Sequence, residues 1–428
     1  MQNKNPKPIR HHVSNIALLL LALLPGRPAL AQAAGELDAL ALADNSTASA
    51  APARDWQFFA ELMAGGQDQR TSGWEAEQRL SLDLNADVRF APDWRAVLSD
   101  RLDLGWSGWL NEDNQVNTLR EAYLSWQPDP AQIYDLGRIN LRSGVATGFN
   151  PTDFFKAGAL RSVTSIAPAS LRENRLGSGM LRGQWLWDGG SVSALYSPRL
   201  ADQRSTAPFS ADFGASNASD RGLLVFSQAI NDWLNPQGLI YAESGAAPQL
   251  GMNLSLLASD ATVLYVEYAG GRAASQIDQA LGVAGPQRFQ SQLATGLTQT
   301  FANKLSVTVE YQYSSAAPDA KAWQALQHDR QAYGMYRAWA GTMQALTTEQ
   351  ALFTYASWQD FPVTQSELAA MIRHDLTDQS SLVWLQAMYH LEHADLIVQW
   401  QYGTGDAFSV YGASPASQTI QAMLRYYF

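Results

Sequence analysis

The stretch RLSLDLNADVRF, Arg79 to Phe90, alternates without a miss: Leu80, Leu82, Leu84, Ala86, Val88 and Phe90 against Arg79, Ser81, Asp83, Asn85, Asp87 and Arg89. A period of two belongs to a strand with one apolar and one polar face. At 12 residues the run exceeds the roughly five or six of an ordinary soluble strand. It suits the roughly nine to eleven of a tilted strand crossing a bilayer.

The pattern recurs, and 18 such segments can be placed between Asp55 and Phe428. They include Asp93–Leu110, Val116–Gln127, Ile133–Asn140, Leu239–Ser244 and the terminal TIQAMLRYYF. Connectors alternate between short and long along much of the chain: APD, WDGG, SDA and ANK against Leu141–Gly179, Pro198–Arg221 and Ser315–Glu349. Membrane barrels pair short turns on one side with longer loops on the other. The expected fold is therefore an all-β transmembrane antiparallel β-barrel of 18 strands, with 16 as the alternative count and one long loop turned into the lumen. Such a barrel must close its last strand on its first, because lipid cannot satisfy an open edge.

The N-terminus reads as an export leader over residues 1–31. Lys4, Lys7 and Arg10 precede the apolar IALLLLALL, and Ala29-Leu30-Ala31 offers small-residue cleavage. Its apolar core is too short to span a membrane. Without the leader's four bases the formal net charge of −11 becomes −15. An Ala-rich tether is expected over residues 32–54, and the barrel over 55–428. The 14 Trp, 16 Tyr and 15 Phe fit rings set where apolar and wet zones meet, with Trp94, Trp106, Trp126, Trp185, Trp384, Tyr426 and Phe428 as girdle members.

Little points to catalysis. Cysteine is absent. Four histidines follow the leader, His328, His374, His390 and His393, and none has the spacing of a nucleophile and its base. His390, Glu392 and His393 around one tight turn give only a weak metal pattern. No cofactor, metal or nucleic-acid partner is expected.

The stretch Gly137–Gly179 inverts the charge of its surroundings. Arg138, Arg142, Lys156, Arg161, Arg172 and Arg175 stand against Asp153 and Glu173. A loop folded into a lumen as a basic constriction would carry such charge, with Phe154 and Phe155 fixing it to the wall. Arg presents a permanent planar donor fork for carboxylate or phosphate. On the other reading, these bases pair with lumen carboxylates or meet anionic lipid sugars. The insertion Ala316–Gln350 has near-helical spacing at Ala322, Leu326 and Arg330 and is expected to cap the barrel or fold inward. Its rings Trp323, Tyr333, Tyr336 and Trp339 would pack the loop or stack on sugars.

Two resemblances follow. MLRYYF, with Phe428 last, is similar to the carboxy-terminal signature of bacterial outer-membrane barrels, which implies recognition of this strand by the barrel assembly machinery. LREAYLSWQ (Leu119–Gln127) followed by DLGRINLRSG (Asp135–Gly144) resembles the paired strands of large 16–18-stranded specific porins and alginate-export barrels, where the second strand leads into an inward loop. That likeness implies a Gram-negative outer-membrane channel for hydrophilic solutes or an extended polysaccharide, surrounded by lipid and lipopolysaccharide and open to homo-oligomer formation. It makes Arg138, Arg142, Asp153, Lys156 and Arg161 constriction candidates, beside Arg172 and Arg175. The alternative is a non-conducting barrel, plugged by its loops and working in export, assembly or surface interaction.

Overall fold

The structure, a computed structural model, describes residues 54–107, 115–205, 207–209 and 211–428. The leader and nearly all of the tether lie outside the described residues.

Eighteen strands follow one another: β1 Trp56–Gln69, β2 Gly73–Ala91, β3 Trp94–Ser107, β4 Gln115–Asp129, β5 Gln132–Ile139 and β6 Ser178–Trp187. Then come β7 Gly190–Ser197, β8 Arg221–Gln228, β9 Leu234–Glu243, β10 Gln249–Ser259, β11 Thr262–Ala273 and β12 Arg288–Thr300. The last are β13 Leu305–Ser314, β14 Gln350–Gln359, β15 Ser366–Asp375, β16 Ser381–His390, β17 Ala394–Thr404 and β18 Ala416–Tyr427. Each pairs antiparallel with its neighbours in sequence, and β1 also pairs with β18, so the sheet has no edge. The seam runs from Phe59 opposite Tyr427 to Gln69 opposite Ala416, with a register shift after Asp68. Beyond it, the amide of Phe428 donates to the Phe58 carbonyl at 3.1 Å. The terminal hexapeptide is therefore wall.

Alternation decides the faces. On β2, Arg79, Ser81 and Asp83 are buried inward, while Val88 and Phe90 stand exposed on the outside. Trp94, Trp106, Trp126, Trp185, Tyr426 and Phe428 are all exposed, and Trp94 stacks on Trp126 at 5.9 Å between centroids. Trp384 departs from the expected girdle. Its neighbour Leu385 faces out, which turns Trp384 inward against Phe353 and Met371 at 1% exposure. Boundaries also move. β2 starts at Gly73, ahead of the alternating run, and β9 starts at Leu234. Pro236, which has no ladder donor, masked the first half of β9 in the sequence.

Most connections at the end bearing Trp56 and Phe428 are short, as at Pro92–Asp93, Asp188–Gly189 and Asp260–Ala261. The opposite end carries the long ones, though β1–β2 and β9–β10 are joined briefly there too. One insertion is a helical cap. Helices Ala320–Gln327 and Arg330–Met343 begin at Asp319 and Asp329, whose carboxylates accept from the first free amides. Trp323, Leu326, Tyr333, Tyr336 and Ala340 form the cap's own core. Trp323 and Tyr336 are therefore packing residues, with the Tyr336 hydroxyl bonded to Gln276 and to the Thr347 carbonyl, both at 2.8 Å. Burial pushes that hydroxyl well above the usual tyrosine range.

Candidate functional site

The chain leaves the sheet after Ile139 and rejoins it at Ser178. An irregular segment in a barrel interior must find partners for its main-chain amides, and two carboxylates supply them. Glu267 on β11 accepts from the amides of Val145 (2.9 Å), Ala146 (3.0 Å) and Thr152 (2.8 Å), and from the Thr152 hydroxyl (2.9 Å). Glu310 on β13 accepts from the amides of Thr147 (2.9 Å), Gly148 (3.2 Å) and Phe149 (2.9 Å) and from the Tyr265 hydroxyl (2.8 Å). Both glutamates are fully buried. A hydrogen bond to a charged group contributes about 1.5–3 kcal/mol, so these bonds fix the loop on that wall. Gly144 has φ +97°, and a Cβ there would sit 2.5 Å from the Glu267 carboxylate oxygens. Glycine is what lets the backbone come so close.

Further on, Phe154 stacks on Tyr241 of β9 at 4.6 Å, and the Arg221 guanidinium lies 4.5 Å over the Phe155 ring. Phe155 packs with Ile139, Met180, Leu195, Leu223 and Leu239, so both rings pin the loop as the sequence implied. Ile166 and Ala167 then rest on Phe353 and Trp384. The Gln399 amide donates to the Ser165 hydroxyl at 3.1 Å, and Arg120 of β4 donates to Asn174 at 3.1 Å. The loop thus reaches walls on several sides and crosses the interior.

The candidate residues separate into groups. Arg175 and Asp153 form a buried ion pair at 2.7 Å. Arg172 braces the same turn through the carbonyls of Ala146 and Ser143, each at 3.3 Å. Lys156 donates to the Asn150 carbonyl at 2.6 Å, and its ammonium lies 4.5 Å from the Phe149 ring centroid. Crowding by protein pushes the Lys156 ammonium down to about 8, against the pull of Asp153 and Glu267. Arg138 and Arg161 lie apart from these, beneath the β7–β8 connection. Arg138 is fully buried and donates to the Asp212 carbonyl, and Arg161 to those of Ser205 and Ala207. Arg142 is exposed. Carbonyl partners do not cancel charge, so Lys156 and Arg161 remain sources of positive field, whereas Arg138 shares the outward face of its strand with exposed Leu136 and does not enter the lumen.

A second charged surface escaped the sequence reading. On the inward face of β1–β4 and β18, Glu61 binds Arg79 (3.3 Å), Arg101 (3.1 Å) and Arg425 (2.8 Å). Asp83 binds Arg120 at 2.9 Å and Arg101 at 3.4 Å, while Asp103 binds Arg101 at 2.9 Å. Four arginines share three carboxylates across five adjacent strands. The letters Arg79, Ser81 and Asp83 were visible as a polar face; which residues stood opposite them required the register. The histidines do not converge: His390 binds Asp395 at 2.8 Å, and exposed His393 lies 3.9 Å from Glu392.

Comparison of the sequence with family models and with curated proteins returns no match. Solved structures do match. OccAB1 of Acinetobacter baumannii has a TM-score of 0.55 at 13% identity, covering 87% of this chain and 96% of that one. OccK5 (OpdH) of Pseudomonas aeruginosa has 0.52 at 9%, covering 87% and 97%. A BenF-like porin from Pseudomonas fluorescens Pf-5 has 0.51 at 11%, covering 88% and 99%. The fold is that of a porin: a closed, 18-stranded antiparallel barrel.

Proposed function

We propose that this barrel is an outer-membrane channel through which hydrophilic solutes diffuse passively, with a preference for anions. One observation carries the reading most: a loop pinned by two glutamates crosses the interior of a closed barrel, opposite a wall carrying four arginines. The name of the Pseudomonas fluorescens neighbour, a porin, supports a channel. Nothing in the mechanism requires bond chemistry. The outward apolar belt sits in lipid and lipopolysaccharide, the polar interior passes the solute, and Arg142, Lys156 and Arg161 bias the field toward anions. An extended anionic polysaccharide would use the same surface.

A second reading has its own support. Gly158 donates to the Thr342 carbonyl at 2.8 Å, and Gln344 to the Lys156 carbonyl at 2.6 Å. The helical cap and the crossing loop are therefore joined, as a plugged, non-conducting barrel would require. Planar-bilayer recording from folded protein under a salt gradient decides the matter. Steady conductance with an anionic reversal potential is expected. Cation preference would remove the basic constriction, and silence would leave the plugged barrel.

A further inference from the structure

We propose that the interior wall near the Pro92–Asp93 turn holds a separate oxyanion-binding station, built by Arg89, Arg95 and Arg182. Arg89 and Arg95 stand directly opposite each other on β2 and β3, on the face whose alternation places Arg79, Asp83 and Arg101 inside. Like charges directly opposed in a sheet are unfavourable, so the pairing calls for a counter-charge. Arg89 is exposed to the lumen and makes no hydrogen bond or ion pair among the described residues. Arg95 donates through Nη2 to the Tyr123 hydroxyl at 3.1 Å, while its Nε makes no hydrogen bond and has the Asp87 carboxylate as an ion-pair partner at 3.5 Å. Arg182 spends only Nε, on Asp135 at 2.8 Å.

These three arginines line one cavity of about 110 Å³, with the Gln127 and Gln184 side chains beside them. At about 30 Å³ per water in the liquid, that space holds about three or four waters. It fits a phosphate or carboxylate group. The nearby carboxylates do not fill the role. Asp135 is held by Arg182, Asp87 lies 3.5 Å from Arg95 in an exposed pair, and Asp93 belongs to the turn and makes no ion pair. A bound oxyanion bridging Arg89 and Arg95 turns an unfavourable pair into a bidentate clamp. The station lies at the end opposite the long loops, so a solute anion would meet it after passing the constriction. Only the source of the anion rests on the channel reading; binding itself does not.

The test uses full-length folded protein in detergent and inorganic phosphate, read by broadening of the phosphorus-31 resonance, which needs no conduction. Wild type is expected to broaden the signal saturably. Arg89→Gln and Arg182→Gln should each weaken binding about tenfold, the scale of one lost charged bidentate contact. Lys304→Gln removes an exposed charge at the same end and should change nothing. Equal weakening by Lys304→Gln would reduce the effect to bulk field and overturn the station, as would unaltered binding in both arginine variants or no broadening by wild type. Conductance failing while phosphate binds would sink the channel reading and leave the station standing.

Discussion

Two walls of this barrel use carboxylates in opposite ways. On β1–β4, Glu61, Asp83 and Asp103 hold arginine side chains. On β11 and β13, Glu267 and Glu310 hold main-chain amides of a loop that belongs to neither strand. The first arrangement leaves a surface of compensated charge. The second uses two buried carboxylates to seat a segment of the basic loop, so the loop's position depends on two side chains. Inward-facing acids need not mark a cation path: some are anchors, and which ones is decided by what they bond.

The comparison can be broken most directly at the anchors. Replacing Glu267 and Glu310 together by Ala removes three loop amide bonds at each, and at about 1.5–3 kcal/mol per charged bond the loop should leave the wall. Larger and noisier conductance is expected, with new protease cleavage within residues 140–177 while the barrel stays folded. Unchanged cleavage would mean the loop is held elsewhere. Next, Asp153→Asn strands the buried Arg175 guanidinium, a loss of about 3–5 kcal/mol, read as faster amide exchange across the loop. On the opposite wall, Asp83→Asn should be milder, about 1–3 kcal/mol in denaturation, because Arg101 keeps Glu61 and Asp103 and Arg120 keeps Ser99. That variant should raise anion preference without freeing the loop.

The smallest effect sharpens the picture by pH. Lys156 is held at about 8, below its ordinary 10.5, so it loses its charge as pH rises through about 8. Anion preference should therefore fall between pH 7 and pH 9, and Lys156→Met should abolish that step. The sign for stability runs the other way. A base with a depressed folded value binds fewer protons folded than unfolded, so its contribution improves as pH climbs from about 8 toward 10.5.

The barrel was readable because period-two alternation survives in nearly every strand, and because a closed sheet has few ways to satisfy its edges. The inward loop was readable from its charge and from Phe154 and Phe155, which do pin it. The anchors were not. Glu267 and Glu310 sit in YVEYAG and TVEYQY as single acids among apolar and polar letters, and only the fold brings residues 144–152 against them. Trp384 reads as a girdle ring because a tryptophan in a membrane strand suggests the lipid interface. The parity set by Leu385 overrode that composition cue.

The seam has a consequence for how this chain must be made. Glu61 and Arg425 meet across 364 positions of sequence, the most non-local kind of contact and the slowest kind to form. Because side chains alternate, a slip of one residue at this pairing would turn Arg425 from Glu61 toward lipid. The first and last strands can therefore close correctly only after every strand between them has taken its register. That ion pair acts as an inspection point for the assembled wall, at which an error made anywhere along the sheet comes due.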